Sequence, residues 1–355
     1  MPVLRPDTLI EHRVGAIRDY HASVGLSTAQ LDVSGGIDSA VMCGLLVRAL
    51  GAERCLFVYS GIHSSDDSRR RARAVTEAFG AKLVEVDLSA EYESIAGKLR
   101  EGMAAVGVDM EALASRRSAS PAIDGSLRSC LRAPLGRYAN RLFFGGIRHG
   151  TGNECEDRYV RFYQKGGDGE VDTNPIAMLS KGEVYQLALA LGVPHEIIEC
   201  EPTHDLHQGL ETSHDEVELE RWTGVPWTYS RVDVASGRYR RLGTIERMSR
   251  LMDAVLRDAG ARTGGPDDAR FWTAPALREA AAERLEAFGL TPGHLASAFK
   301  LERQTRHKMN PNCPTLGARE SLVNAGVLTD ELADELADEL ADELAEGLTG
   351  EREGR

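Results

Sequence analysis

Residues 34–39 read Ser-Gly-Gly-Ile-Asp-Ser, a set of residue types suited to holding phosphate. Gly35 and Gly36 let the backbone curl so that successive N–H groups point into one hollow, and a helix starting beside them adds its positive N-terminal end. Ser34 and Ser39 bring hydroxyl donors to the same anion. Asp38 places a carboxylate beside the phosphates, which is repulsive unless a divalent cation lies between them. A plain glycine turn with an aspartate cap would explain fewer of these residues. No Gly-Lys-Ser or Gly-Lys-Thr follows, so this is not a Walker loop, and the GxGxxG dinucleotide fingerprint is absent.

The elements that must position this loop follow from hydrophobic spacing. Residues 5–23 read as an amphipathic helix, and a short strand around Gln30–Val33 leads into the loop. Asp38–Leu50 reads as a helix because Ala40, Val41, Leu45, Leu46 and Leu50 share a face. Strands at Arg54–Tyr59 and Lys82–Val86 flank a helix at Ser65–Phe79, and helices near 91–106 and 126–141 lead to a strand ending at Gly150–Thr151. This alternation predicts an α/β fold, a parallel sheet flanked by helices, with ligands at the carboxyl ends of the strands. Beyond it, residues 150–209 hold one clear helix at Lys181–Leu191, and residues 210–275 read as an insertion or lid. Gly264-Gly265-Pro266 reads as a turn, and 274–303 looks helical again. Residues 1–328 are expected to form one domain.

Composition excludes several classes. The chain has 355 residues, enough for a sizeable core. No apolar run approaches the ~18 residues of a membrane span, and the N-terminal residues lack the apolar stretch of a secretory signal. The six cysteines form no CxxC pair, which argues against a zinc ribbon or disulfide framework and suits a reducing cytoplasm. Most of the net charge of −13 lies in residues 329–355, where eleven acidic residues accompany two arginines in an Asp-Glu-Leu-Ala repeat. Its leucines recur every four residues, a poor coiled-coil seam, so a solvated acidic helix is expected. The remaining body is nearly neutral and has no basic stripe, which argues against nucleic acid as partner.

A second set of motifs narrows the chemistry. Gly150-Thr151-Gly152-Asn153 is followed by Glu156, by Gly167-Asp168-Gly169, by Asp172-Thr173-Asn174-Pro175, by Ser180-Lys181 and by Pro202-Thr203-His204-Asp205. With the Ser34–Ser39 loop of the N-type ATP pyrophosphatases, this ordered set resembles NAD synthetase of the ammonia-dependent type, over about residues 5–230. The resemblance implies the adenine nucleotide alpha-hydrolase-like fold and a homodimer. It implies a ligase that adenylates the carboxylate of deamido-NAD with ATP, releases pyrophosphate, and lets ammonia displace AMP. Under it, Asp38 and Glu156 would bind Mg2+, and Ser34, Gly35, Gly36, Ile37, Ser39 and Thr151 would cradle ATP. Lys181 and Thr203 would face the phosphates from the other side, and Asp168 would lie near the reacting centre, orienting ammonia. Asp172 would face the second substrate, and His307 and Lys308 would close over the site. Alone, Lys181 could be a surface lysine, Glu156 an exposed helix residue and Asp168 a turn former.

The sequence departs from the family in the half that meets the acid. In the segment Ser126–Ala133, Arg132 stands at a family arginine position, while Cys130 stands where a second arginine is expected and Arg128 lies two residues away. A thiol cannot replace the bidentate donors of a guanidinium. Asp32 stands where the family has a small residue, Arg148 and His149 interrupt a usually apolar strand, Glu154 replaces a basic residue, and Glu170 replaces a glycine. Two enzymatic readings follow: the family's own reaction, which is favoured, and a paralogue amidating another carboxylic acid in a specialised pathway. No glutaminase segment is visible, so free ammonia or a separate glutaminase is the expected nitrogen source.

Overall fold

Four short strands frame the molecule: β1 (Ala29–Asp32), β2 (Cys55–Gly61), β3 (Leu83–Asp87) and β4 (Ile147–His149). The computed structural model describes residues 5–120, 122–161, 163–203, 215–264, 267–308, 322 and 324–326. All four strands run parallel in the order β3-β2-β1-β4. The chain steps outward from β1 to β3 and then returns to lay β4 on the other side of β1. The crevice beyond the carboxyl ends of β1 and β4 is therefore the topological switch point, where such sheets bind ligands.

Helices supply the crossovers. They are α1 (Pro6–Val24), α2 (Ile37–Leu50), α3 (Asp66–Ala78), α4 (Ser89–Ala105), α5 (Met110–Ala119), α6 (Ala122–Leu142) and α7 (Lys181–Leu191). Helix α2 is apolar almost all round, which fits its place against the sheet, α1 and α7. Leu9, Ile10, Val14 and Ile17 of α1, Val41, Met42, Leu45 and Leu46 of α2, and Val184, Leu187 and Ala188 of α7 form one core with Leu31 and Phe57 of the sheet. The expected βαβαβ order is present, and α7 has the expected bounds. Helix α5 has no counterpart in the sequence pattern. It buries no residue, so it carries no hydrophobic stripe, and its start rests on Asp109, whose side chain accepts from the Glu111 and Ala112 N–H groups.

Residues 215–275, within the stretch read as an insertion or lid, fold into packed elements. They comprise α9 (Asp215–Thr223), the hairpin β5 (Arg231–Val232) and β6 (Tyr239–Arg241), α10 (Thr244–Asp258) and α11 (Asp268–Thr273), after the short α8 (His195–Ile198). With α12 (Pro275–Arg284) and α13 (Pro292–Thr305) they build a second core around Leu219, Trp227, Tyr229, Met248, Leu251, Phe271, Trp272, Leu295 and Phe299. The stripe that makes this possible is Ile245, Met248, Leu251, Met252, Val255 and Leu256 on α10, at helical spacing but diluted by charged neighbours. No described helix is long and apolar enough to cross a membrane. The five described cysteines are free thiols. The His204-Asp205 pair, most of the Gly264–Pro266 turn, Cys313 and the acidic tail lie outside the described residues.

Candidate active site

The phosphate loop leaves β1 and turns into α2. Gly35 has φ +81°, and a Cβ there would lie 2.3 Å from the Ser68 carbonyl oxygen, so both conformation and space demand glycine. Inside the loop, the Gly36 N–H donates to Ser34 Oγ at 3.2 Å, Ser39 Oγ donates to the Gly36 carbonyl at 2.9 Å, and the two hydroxyls lie 3.3 Å apart. Arg71 of α3 clamps the loop from outside by donating to the Gly35 carbonyl at 3.2 Å. The donors are thus held in place before any anion arrives.

Three charged groups meet at the start of α2. Lys181 Nζ donates to Asp38 Oδ2 at 2.6 Å and to Glu156 Oε1 at 2.7 Å. Lys181 is no surface lysine, being 2% exposed as the first residue of α7. Ser180 and Glu183 form a capping box that fixes this helix start. Glu156 sits on a π-helical turn, Cys155–Val160, a distortion that often marks functional sites. Asn153, fully buried, links the Asp38 carboxylate to the Glu156 backbone: its Nδ2 donates to Asp38 Oδ1 at 2.9 Å, and its Oδ1 accepts from the Glu156 N–H at 3.2 Å. Tyr229 of the second core places its ring 5.3 Å from Lys181 Nζ.

Electrostatics follow from this burial. Desolvation pushes the Glu156 carboxyl up to about 7, a rise reinforced by Asp38 and opposed by Lys181. Desolvation alone would pull the Lys181 ammonium down, but Asp38 and Glu156 outweigh it and hold it well above its ordinary value. Asp157 is raised by burial and then by Glu156, Asp168 and Asp38. Two converging carboxylates are hard oxygen donors of the kind that hold magnesium together with substrate phosphates. Among the described residues no group of three or more His, Cys, Asp or Glu side chains could hold a metal by itself.

One cavity gathers most of the sequence-derived candidates. Ser34, Gly35, Gly36, Ile37, Asp38, Ser39, Arg132, Thr151, Glu156, Asp168, Lys181 and Thr203 all line it. Asp168 accepts from Ser129 Oγ and from the Gln164 N–H, both at 2.8 Å. Arg132 donates to the Ser60 carbonyl at 3.0 Å and to Ser64 Oγ at 3.3 Å. Other candidates stand apart from the lining. Arg128 is buried with its guanidinium 5.4 Å from the Tyr92 ring centroid. Cys130 lies by the Lys165 carbonyl, its thiol pushed up by burial and by Asp168. Asp172 is held by Arg137 at 2.8 and 2.9 Å and by the Arg148 N–H at 2.8 Å. Lys308 donates to the Tyr163 and Arg161 carbonyls at 2.9 and 3.2 Å, tying the chain after α13 to the segment before Asp168. His307 lies in the same short turn. Asn153, Ser129 and Tyr229 had no assigned role in the sequence. Asn153 belongs to the Gly150–Asn153 motif and could have been found there, whereas nothing near Tyr229 signals the site.

The NAD synthase family model matches residues 9–233. The NH(3)-dependent NAD(+) synthetase of Alkaliphilus oremlandii is 34% identical over 206 residues, covering 56% of this chain and 76% of that protein. That of Methanococcoides burtonii is 35% identical over 199 residues, covering 54% and 67%. Among solved structures, the NMN synthetase of Francisella tularensis aligns with TM-score 0.56 at 19% identity, over 87% of this chain and 99% of that one. The NH3-dependent NAD synthetase of Campylobacter jejuni aligns at 0.53 and 15%, over 87% and 98%. At these identities the structural likeness is one of fold, the adenine nucleotide alpha-hydrolase-like arrangement, while the matched family spans both halves of the cavity. The chain belongs to the NAD synthase family.

Proposed function

We propose that the protein is an ammonia-dependent NAD synthetase, an ATP-consuming carbon–nitrogen ligase that adenylates deamido-NAD and releases pyrophosphate, then amidates it and releases AMP. The observation that carries this reading is the cavity itself, where the phosphate loop, the Asp38–Lys181–Glu156 cluster and the Asp168 turn face one another in a chain 34–35% identical to NH(3)-dependent NAD(+) synthetases.

A carboxylate is a poor electrophile, and its adenylate carries a good leaving group. The protein's task is to align the acid with the α-phosphorus and to neutralise charge on the departing pyrophosphate. The loop N–H groups, the Ser34 and Ser39 hydroxyls and the start of α2 cradle the phosphates. Lys181, held protonated by its two carboxylates, brings positive charge to the same wall. Asp38 and Glu156 would hold Mg2+, which supplies charge neutralisation on the phosphates when bound. Asp168, fixed by Ser129, orients the incoming ammonia, and Thr151 and Thr203 complete the ATP side. Arg132 meets the acid from the cavity wall. Arg128, Cys130 and Asp172, with His307 and Lys308 from the chain after α13, are assigned to the second-substrate side of the site. We assign the active form to a homodimer in the cytoplasm, fed by free ammonia or by a separate glutaminase.

Pyrophosphate release from MgATP with ammonium tests the assignment, comparing deamido-NAD with no added acid. NAD formation with matched release supports it. No acid-dependent release from protein that binds ATP would assign the adenylation machinery to another carboxylic acid. Efficient use of glutamine by the purified chain would overturn the ammonia assignment.

A further inference from the structure

Arg148 is a charged residue in the middle of β4, 2% exposed, between the apolar Ile147 and the buried His149. Burying a guanidinium in a sheet is costly unless it is paired, and this one has two carboxylates. Its Nη2 donates to Asp32 Oδ2 at 2.7 Å, and its Nη1 to Glu170 Oε2 at 2.9 Å and to the Glu170 carbonyl. Asp32 ends β1, the neighbouring strand, two residues before Ser34, and Gln30 Nε2 donates to its other oxygen at 2.7 Å. Room for the pair comes from α6, where a Cβ on Gly136 would lie 2.9 Å from Arg148 Nε and 3.0 Å from Asp32 Oδ1.

Glu170 lies two residues after Asp168, in the turn closed by bonds from the Gly167 N–H to the Gln164 carbonyl and from the Glu170 N–H to the Gly167 carbonyl. Arg137 Nη2 holds the second Glu170 oxygen at 2.8 Å. Asp32, Arg148 and Asp168 all line the cavity. Residues 32, 148 and 170, remote in sequence, are thus one connected bridge from the phosphate-loop strand to the Asp168 turn.

We propose that Arg148 is a positioning residue: by joining Asp32 to Glu170 it fixes turn 164–170, and with it the Asp168 carboxylate, relative to the phosphate loop during ammonia transfer. The proposal rests on the reading of Asp168 given above. A misplacement of about 1 Å in such a group costs on the order of a hundredfold in rate. Removing the bridge therefore separates the two halves of the reaction, because the nucleotide cradle keeps its own bonds.

The test compares wild type with Arg148→Met and with the triple variant Asp32→Ala/Arg148→Leu/Glu170→Ala, which leaves no carboxylate of the bridge unpaired. Exchange of labelled pyrophosphate into ATP in the presence of deamido-NAD reads adenylation, and the ammonium dependence of amide formation reads transfer. Both variants are expected to keep exchange within about threefold of wild type and to raise KM for ammonium by roughly tenfold or more. The triple variant should also regain the melting temperature that Arg148→Met loses. An unchanged ammonium KM in the folded triple variant overturns the proposal, as does a loss of exchange and amidation by the same factor. Wild type without acid-dependent exchange would defeat the functional reading instead. Hydrogen exchange then decides the bridge on its own: faster exchange across 164–170 but not 34–39 in Arg148→Met supports it, and identical exchange overturns it.

Discussion

Glu156 is the residue whose chemistry depends most on its surroundings. Its carboxyl is pushed up to about 7 by burial and by Asp38, against the pull of Lys181. Below that pH it takes a proton and ceases to be an anion for Mg2+ or Lys181. The rate of pyrophosphate exchange at subsaturating MgATP is therefore expected to fall as pH drops through about 7, and Glu156→Gln to lower it about a hundredfold while flattening that limb. A limb that survives in the variant would assign the titration elsewhere. Stability carries the opposite sign. The folded state binds the proton more tightly than the unfolded chain, so this group's contribution is full below its ordinary value of 4.5 and is lost as pH rises through about 7. The stability difference between wild type and Glu156→Gln should shift by up to roughly 3 kcal/mol across that window, read by urea titration at several pH values. A second residue-scale constraint is Gly35. Its positive φ, and the Ser68 carbonyl oxygen 2.3 Å from where a Cβ would stand, make Gly35→Ala costly by about 1–3 kcal/mol. The variant should also weaken ATP binding by calorimetry; binding at wild-type strength would show that the loop tolerates the strain.

Helix α7 shows how an element turns local sequence into site geometry. Ser180 caps it by accepting from the Glu183 N–H, and Glu183 answers by accepting from the Ser180 N–H at 2.9 Å. This fixes the first helical residue, Lys181, at the depth where it reaches Asp38 and Glu156. Ser180→Ala should cost about 1 kcal/mol of stability and raise KM for ATP several-fold, because the first turn frays where Lys181 sits. A lower denaturation midpoint with unchanged KM would mean that the two carboxylates alone hold the lysine. The same helix is fully legible in the sequence, bounds included, since its cap, its apolar face and the αL glycine at Gly192 all agree. The βαβαβ half is legible because short strand-like segments alternate with longer stretches of helical spacing. Helix α5 is not, because a helix that buries nothing has no periodicity to detect. The π-helical turn at Cys155–Val160 escapes as well, since no residue type or spacing in the segment marks it. Legibility in the site divides along the same line. Loop, cap and motif residues, Asn153 among them, announce themselves by type and spacing, while Tyr229 acquires its role only when distant segments meet.

At the scale of the whole molecule, the second core grips the turn that carries Glu156, beside the bonds from Lys181 and Asn153. The π-helical turn is gripped on both flanks: Cys155 is buried among second-core side chains, and Arg158 binds Glu154, Asp253 of α10 and Asp268 of α11 at 2.7–2.8 Å. The Arg158 side chain is 10% exposed, and its three partners between 5% and 17%. Such a cluster contributes little net stability while intact, but removing its cation leaves buried carboxylates without their main partner, typically at about 3–5 kcal/mol. Arg158→Met is therefore expected to lower the melting temperature by several degrees, and to do so by loosening α10 and α11 from the turn. Because Glu156 lies on that turn while Asp38 and Lys181 belong to the first core, the damage should reach the site as a change in geometry between the two cores. The readout is a rise in KM for MgATP larger than in Glu154→Gln, which removes one carboxylate and leaves Arg158 bound to Asp253 and Asp268. Equal KM values in wild type and Arg158→Met, with the melting temperature lowered, would show that the Asp38–Lys181–Glu156 bonds align the cluster without help from the second core.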